Sequence, residues 1–139
     1  VQITGTDLVE TPTDATFPPQ AAQIKRGSRI ISATLTCTTA WTGTGTLNVG
    51  TWGRGSLASP ALDDIDGIDQ TADIDSVLAA VGDTVQCDGA LVNGAVTVGE
   101  VSNSDCIVSA EWATAVPTAG AATLVIEYVE PVYSNGLAV

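Results

Sequence analysis

The chain contains no histidine. Serine and cysteine nucleophiles usually pass their proton to a neighbouring base, most often that residue, so the common triads and dyads lose their base. Lys25 is the only lysine, and no surrounding pattern marks a desolvated pocket that would make it reactive. No glycine loop has Walker or dinucleotide spacing; Gly43-Thr44-Gly45 runs on into Thr46, Leu47 and Asn48 without a third glycine and reads as a turn. Carboxylates that could pair for sugar hydrolysis are numerous, but aromatic platforms to hold a sugar are scarce. The expectation is a chain that performs no catalysis.

Methionine is also absent and phenylalanine occurs once, although 45% of the 139 residues are apolar. That content is mostly alanine and valine, which suits a core of small and β-branched side chains between sheets better than a large shaped pocket. No apolar run approaches the roughly 18 residues of a membrane-spanning helix. The length suits one domain.

Cations are few: four against 16 acids, for a net charge of -12. Such a surface repels phosphate, so neither nucleic acid nor an anionic membrane is an expected partner. Basic or neutral protein surfaces and divalent cations remain, and a saline habitat is another source of so few lysines. Lys25, Arg26 and Arg29 stand close together. They are either a local basic spot for an acidic partner or the charged protection of a strand end.

Cys37, Cys87 and Cys106 have no CxxC spacing, and zinc would need ligands this chain does not offer apart from carboxylates. Cys37 and Cys106 fall in strand-like runs, where free thiols behave as small hydrophobes. Reduced, buried thiols are expected; one disulfide plus one free thiol is the alternative.

Alternation supplies the architecture. Along 29–39, Ile31, Ala33, Leu35 and Cys37 alternate with Ser32, Thr34, Thr36 and Thr38, a strand with one buried face. A glycine turn over 41–45 and a returning run over 46–51 predict a hairpin. Later strands are expected over 84–87, 90–92, 95–101, 105–114 and 122–130, the third after an Asn93-Gly94 turn. Cys106, Val108, Ala110 and Trp112 share one face, as do Leu124, Ile126 and Tyr128. Residues 52–72 read as a long loop, and 73–81, with acids first and Gly82 at its exit, as one short helix. The predicted fold is all-β: an antiparallel β-sandwich, jelly-roll or immunoglobulin-like, over 24–130, with an extended arm at 1–23 and a tail at 131–139.

The run from Leu62 to Asp75 clusters hard oxygen ligands of the kind Ca2+ takes. Aligning Gly67 with the EF-hand glycine puts Asp64 and Asp66 at ligand positions, with Asp69 close behind, but Leu62 and Asp73 then stand where two other ligands belong. A solvated acidic loop is the plainer reading; otherwise Asp64, Asp66 and Asp69 would hold the ion.

The segments TLNVGT (46–51), ALDDIDGID (61–69), DGALVNGAVT (88–97) and TAGAATLVIEYV (118–129) resemble small virion proteins of tailed bacteriophages, the head decoration or cement proteins and related capsid-associated components. The resemblance runs from Ile30 to Val129 and rests on turns and strands. It implies a β-sandwich on the outer capsid surface of the virion, seated on the major capsid protein, often as a homotrimer, with no cofactor. Contact candidates come from the residues themselves: Lys25, Arg26 and Arg29 beside the arm, and Trp41 and Trp52, expected in hairpin loops, where exposed tryptophan anchors interfaces. The arm could add a strand to a neighbour's sheet. A tail component of the phage and a secreted Ca2+-dependent carbohydrate-binding β-module, using Trp41, Trp52 and the acidic loop, are the alternatives.

Overall fold

The computed structural model describes residues 2–4, 23–53, 61–73, 77–92, 96–100, 103–112, 114–115, 117–134 and 137–138. Its strands are β1 (Gln2–Thr4), β2 (Gln23–Ile24), β3 (Arg29–Thr42), β4 (Thr46–Gly53), β5 (Ala61–Asp73), β6 (Thr84–Gln86), β7 (Cys106–Trp112), β8 (Ala119–Val129), β9 (Tyr133–Ser134) and β10 (Leu137–Ala138). They form two four-stranded sheets, ordered β1-β8-β3-β6 and β2-β7-β4-β5, and a small β9–β10 ladder.

Four of the antiparallel pairs are β1 with β8, β2 with β7, β3 with β6, and β4 with β5. These are the rungs of one long hairpin, with β4 and β5 at its tip. Rolling that hairpin adds the β3–β8 and β4–β7 pairs and splits the rungs between two layers. The result is a jelly roll, one of the two sandwich types the alternation predicts.

The rolled topology corrects the hairpin expected from β3 to β4. These strands lie in different sheets, so the Gly43–Gly45 turn carries the chain from one layer to the other. The true partner of β4 is β5, within the stretch read as loop. Aspartate and glycine disfavour strands on their own, but the β4 edge supplies the ladder. Pairing passes from Val49↔Asp69 to Thr51↔Asp64, so β5 carries extra residues and arches between Asp64 and Asp69. Gly50 lies beneath this arch, where a Cβ would collide with the backbone of Asp64 and Ile65.

Between the sheets lies a core of small and branched side chains drawn from both layers, including Ala33, Leu35, Val49, Val108, Ala110 and Leu124. The face expected for β7 is the buried one throughout. In β3 the phase differs at one end. A bulge between Ile30 and Ser32 inserts a residue, so Ile30 is buried and Ile31, expected inside, is 54% exposed. Ala33, Leu35 and Cys37 resume the expected alternation.

No helix occurs among the described residues. Of the helix expected over 73–81, Asp73 belongs to β5, 74–76 lie outside the described residues, and 77–81 are turns and bends. The Gly82 amide donates to the Cys37 carbonyl, and the Cys37 amide to that of Asp83. The apolar–glycine pattern that mimics a helix exit is a turn fastened to β3.

The strands expected at 90–92 and 95–101 are likewise not strands where they are described, and the Asn93-Gly94 turn lies outside the described residues. The segment after β6 is a strap across the open side of the sandwich. Cys87 N–H donates to Ala33 in one sheet, while Gly89 and Leu91 donate to Ile68 and Gly67 of β5 in the other. Of the predicted arm, Gln2–Thr4 pair with this chain's own β8 and Gln23 begins β2; the rest lies outside the described residues. The predicted tail contains the β9–β10 ladder.

Candidate interaction surface

The turn from β2 to β3 holds the basic triplet, with Gly27 at φ 83° and the Ser28 amide closing onto the Lys25 carbonyl. Lys25 and Arg26 are exposed there, and Arg29 begins β3, also exposed. Lys25 Nζ lies 2.7 Å from a Glu130 carboxylate oxygen, and the Arg26 backbone amide donates to Asp105 Oδ1 at 2.8 Å. A surface ion pair of this kind contributes about 0–1 kcal/mol. The fold thus gathers all three cations at one end of the sandwich and sets carboxylates among them.

The tryptophans are placed differently from expectation. Trp52 lies within β4 and is 1% exposed, so it presents no aromatic surface to a partner or a sugar. Trp41 ends β3, half-buried, with its ring packed on the core and on Trp112. Both were expected in hairpin loops; the strands run longer than the glycine corners suggest, and the rings fill the ends of the sandwich.

The three aspartates of the proposed Ca2+ loop occupy the arched part of β5, but not as a shared ligand set. Asp69 is 3% exposed and faces the strap, where it accepts the Asp88 backbone N–H. Burial and the nearby Asp88 charge push its pKa up to about 6. Asp66 instead accepts from Gln70 Nε2 at 2.6 Å and lies near Glu111, whose pKa is raised by burial and, secondarily, by that charge, against a hydrogen bond from Asn48. Asp64 packs over Gly67. Among the described residues no three carboxylates or thiols converge as a metal would require.

A different surface emerges on the sheet containing β3 and β8. Register places Arg29 beside Val129, Ser32 beside Glu127, Thr34 beside Val125 and Thr36 beside Thr123 on the outer face, with Gln86 and Thr84 of β6 next to them. Val125 and Val129 are 63% and 60% exposed, and the bulge adds Ile31 to the same region. Arg29 and Glu127 are the charged side chains among these outer-face residues, and their signs cancel. In a chain of net charge -12, this is a neutral, threonine- and valine-rich plane, and it shares with the cores of protein interfaces a scarcity of charge. The outward valines follow from the alternation of 122–130; the bulge that exposes Ile31 has no marker in the sequence.

The chain matches no family model, no curated protein and no solved structure in the three comparisons.

Proposed function

We propose that this chain is a structural protein of a tailed-phage virion that decorates or cements the outside of the capsid through protein–protein contacts, as trimers seated on the major capsid protein. The neutral outer face around Ile31, Val125 and Val129 carries this reading: the acidic chain keeps net charge off one plane and leaves apolar side chains there in water. The resemblance of the strand and turn segments to phage decoration proteins supplies the virion setting. Fold-level analogy agrees, since jelly rolls recur in viral capsid proteins, although one fold serves many functions. A small subunit repeated over a symmetric shell also gains occupancy by avidity from individually modest contacts.

The test is the composition of purified particles from the phage or prophage that encodes the chain, with cryo-electron microscopy of the shell. The expected result is a high copy number and symmetry-related density on the outer surface, three subunits to a cluster. Absence from the particles, or density confined to the tail, overturns the reading.

A further inference from the structure

The strap that follows β6 is fastened at its two ends by different chemistry. On the β3 side, the Ala33 carbonyl accepts the Cys87 backbone N–H at 2.9 Å and Gln86 Nε2 at 2.8 Å, and β6 itself pairs with Thr34–Thr36. None of these groups titrates. On the β5 side, the Gly89 and Leu91 amides donate to Ile68 and Gly67 at 3.0 and 2.8 Å, and beside them the Asp88 N–H donates to the Asp69 carboxylate. Asp69 is 3% exposed. The groups that face it from the strap are the Asp88 carboxylate and the Cys87 thiol. From β4, Val49 stands opposite it, and β3 meets the strap through Ala33 and Leu35, which carry no charge. A buried carboxylate that faces a second one is comfortable only with a proton on it, or after leaving its site.

We propose that residues 88–91 form an acid-closed clasp, shut on β5 while Asp69 carries its proton and swung away about Cys87 when Asp69 ionises against Asp88. Cys87 stays fastened to Ala33, so the clasp opens at one end while the two sheets remain packed. The shut position is a close fit of two main chains: a Cβ at Gly89 would collide with the backbone of Gly67 and Ile68. Opening lifts Leu91, which is 1% exposed and packs over Gly67, and it frees the Gly67 and Ile68 carbonyls.

The sign follows from which form binds the proton. The shut clasp holds the Asp69 proton up to about pH 6, whereas in the open form, with the carboxyl in water, it is held only to the ordinary value of 3.8. The preference for the shut form is therefore complete below 3.8 and is lost as pH rises through about 6. Each pKa unit is a factor of ten in the equilibrium, so the open population should rise about thirty- to hundredfold between about pH 4 and about pH 8. The inference goes beyond the capsid reading and stands or falls without it.

Amide hydrogen exchange tests this, read residue by residue by NMR on the full chain and corrected for the intrinsic pH dependence of exchange. Gly89 and Leu91 should be less protected than Cys87 at every pH, and their protection should fall by that factor from about pH 4 to about pH 8. In Asp69→Asn, whose amide oxygen still accepts the Asp88 N–H, the fall should vanish. Asp88→Asn keeps the backbone donor and removes the facing charge; there the fall should shrink, and this variant decides the matter if the first does not fold. Protection at Gly89 and Leu91 equal to that at Cys87 would mean that the strap opens only as a whole, and overturns the proposal. So does a fall of unchanged size in the variants. Profiles with added Ca2+ and with a chelator should superimpose; Ca2+ that restored protection at about pH 8 would assign these carboxylates to a cation and overturn the clasp as well.

Discussion

The ring of Trp41 meets that of Trp112 edge to face, with centroids 5.3 Å apart and planes inclined at 82°. Trp41 comes from β3 and Trp112 from β7, so the contact joins the two sheets at one end of the jelly roll. Such pairs contribute about 0.5–1.5 kcal/mol beyond the area they bury. Trp112 is the deeper of the two, and Trp112→Ala should cost about 3–5 kcal/mol, the range for removing a large aromatic from a core. Trp41→Ala should cost less, because its ring is half-buried. Urea unfolding of both single variants and the double variant checks this; coupling appears as a double-variant loss smaller than the sum of the singles.

Gly120 makes the Trp41 position available. It sits in β8 at φ 127°, where L side chains are strained, and a Cβ there would collide with the indole of Trp41. Gly120→Ala should therefore destabilise by about 1–3 kcal/mol from backbone strain alone, with displacement of the ring in addition. A changed tryptophan fluorescence maximum in the folded variant would report that displacement. An unchanged spectrum with unchanged stability would mean the strand relaxes freely at this point.

Asp69 predicts an unusual pH profile. Its pKa is raised from 3.8 to about 6 by burial first and by the Asp88 carboxylate second. The groups set against it are that carboxylate and the Cys87 thiol on the strap; opposite it in the ladder stands Val49. A raised folded-state pKa means the folded chain holds the proton more tightly than the unfolded chain. This contribution to stability is fully present below the unfolded pKa and is lost as pH rises through about 6. The magnitude is about 2–3 kcal/mol, from roughly 1.4 kcal/mol per pKa unit. Asp69→Asn, whose amide oxygen can still accept the Asp88 N–H, should be more stable than the parent at about pH 8 and lose its advantage near pH 4. Urea midpoints across that range decide it; parallel curves for parent and variant would place the titrating group elsewhere.

The alternation rule served best where a strand pairs without interruption, as in β7, where every residue assigned inward is buried. It slipped by one residue at Ile31, because a bulge leaves no signature in periodicity. It failed at β5, where an acidic, glycine-containing run was read as loop: intrinsic preference lost to the pairing offered by β4. Of the candidate surfaces, the cation triplet and the outward valines could be read from spacing. The neighbours that frame the outer face of β8 could not, since β1 and β3 flank it through sheet order rather than through local sequence. The burial of Trp52 was hidden for a similar reason: its strand is central, between β5 and β7.

The cysteines give a prediction that separates packing from chemistry. All three are free and buried. Desolvation raises the Cys37 pKa, and at Cys87 burial, with a smaller push from the Asp69 charge, lifts it to about 12. Cys106 Sγ–H points to the Ser104 carbonyl at 3.6 Å. The thiolate is the reactive form, so at about pH 8 the folded protein should react with a thiol reagent only as fast as it opens, while denatured chain reacts at once. Labelling followed by intact-mass spectrometry should show an unmodified native species and, after urea, three additions. Cys87 should be the slowest, because its modification requires the strap to leave both sheets, breaking the Cys87–Ala33 and Gly89–Ile68 hydrogen bonds together. Rapid single labelling at Cys87 in the native state would mean that the strap opens independently of the sandwich.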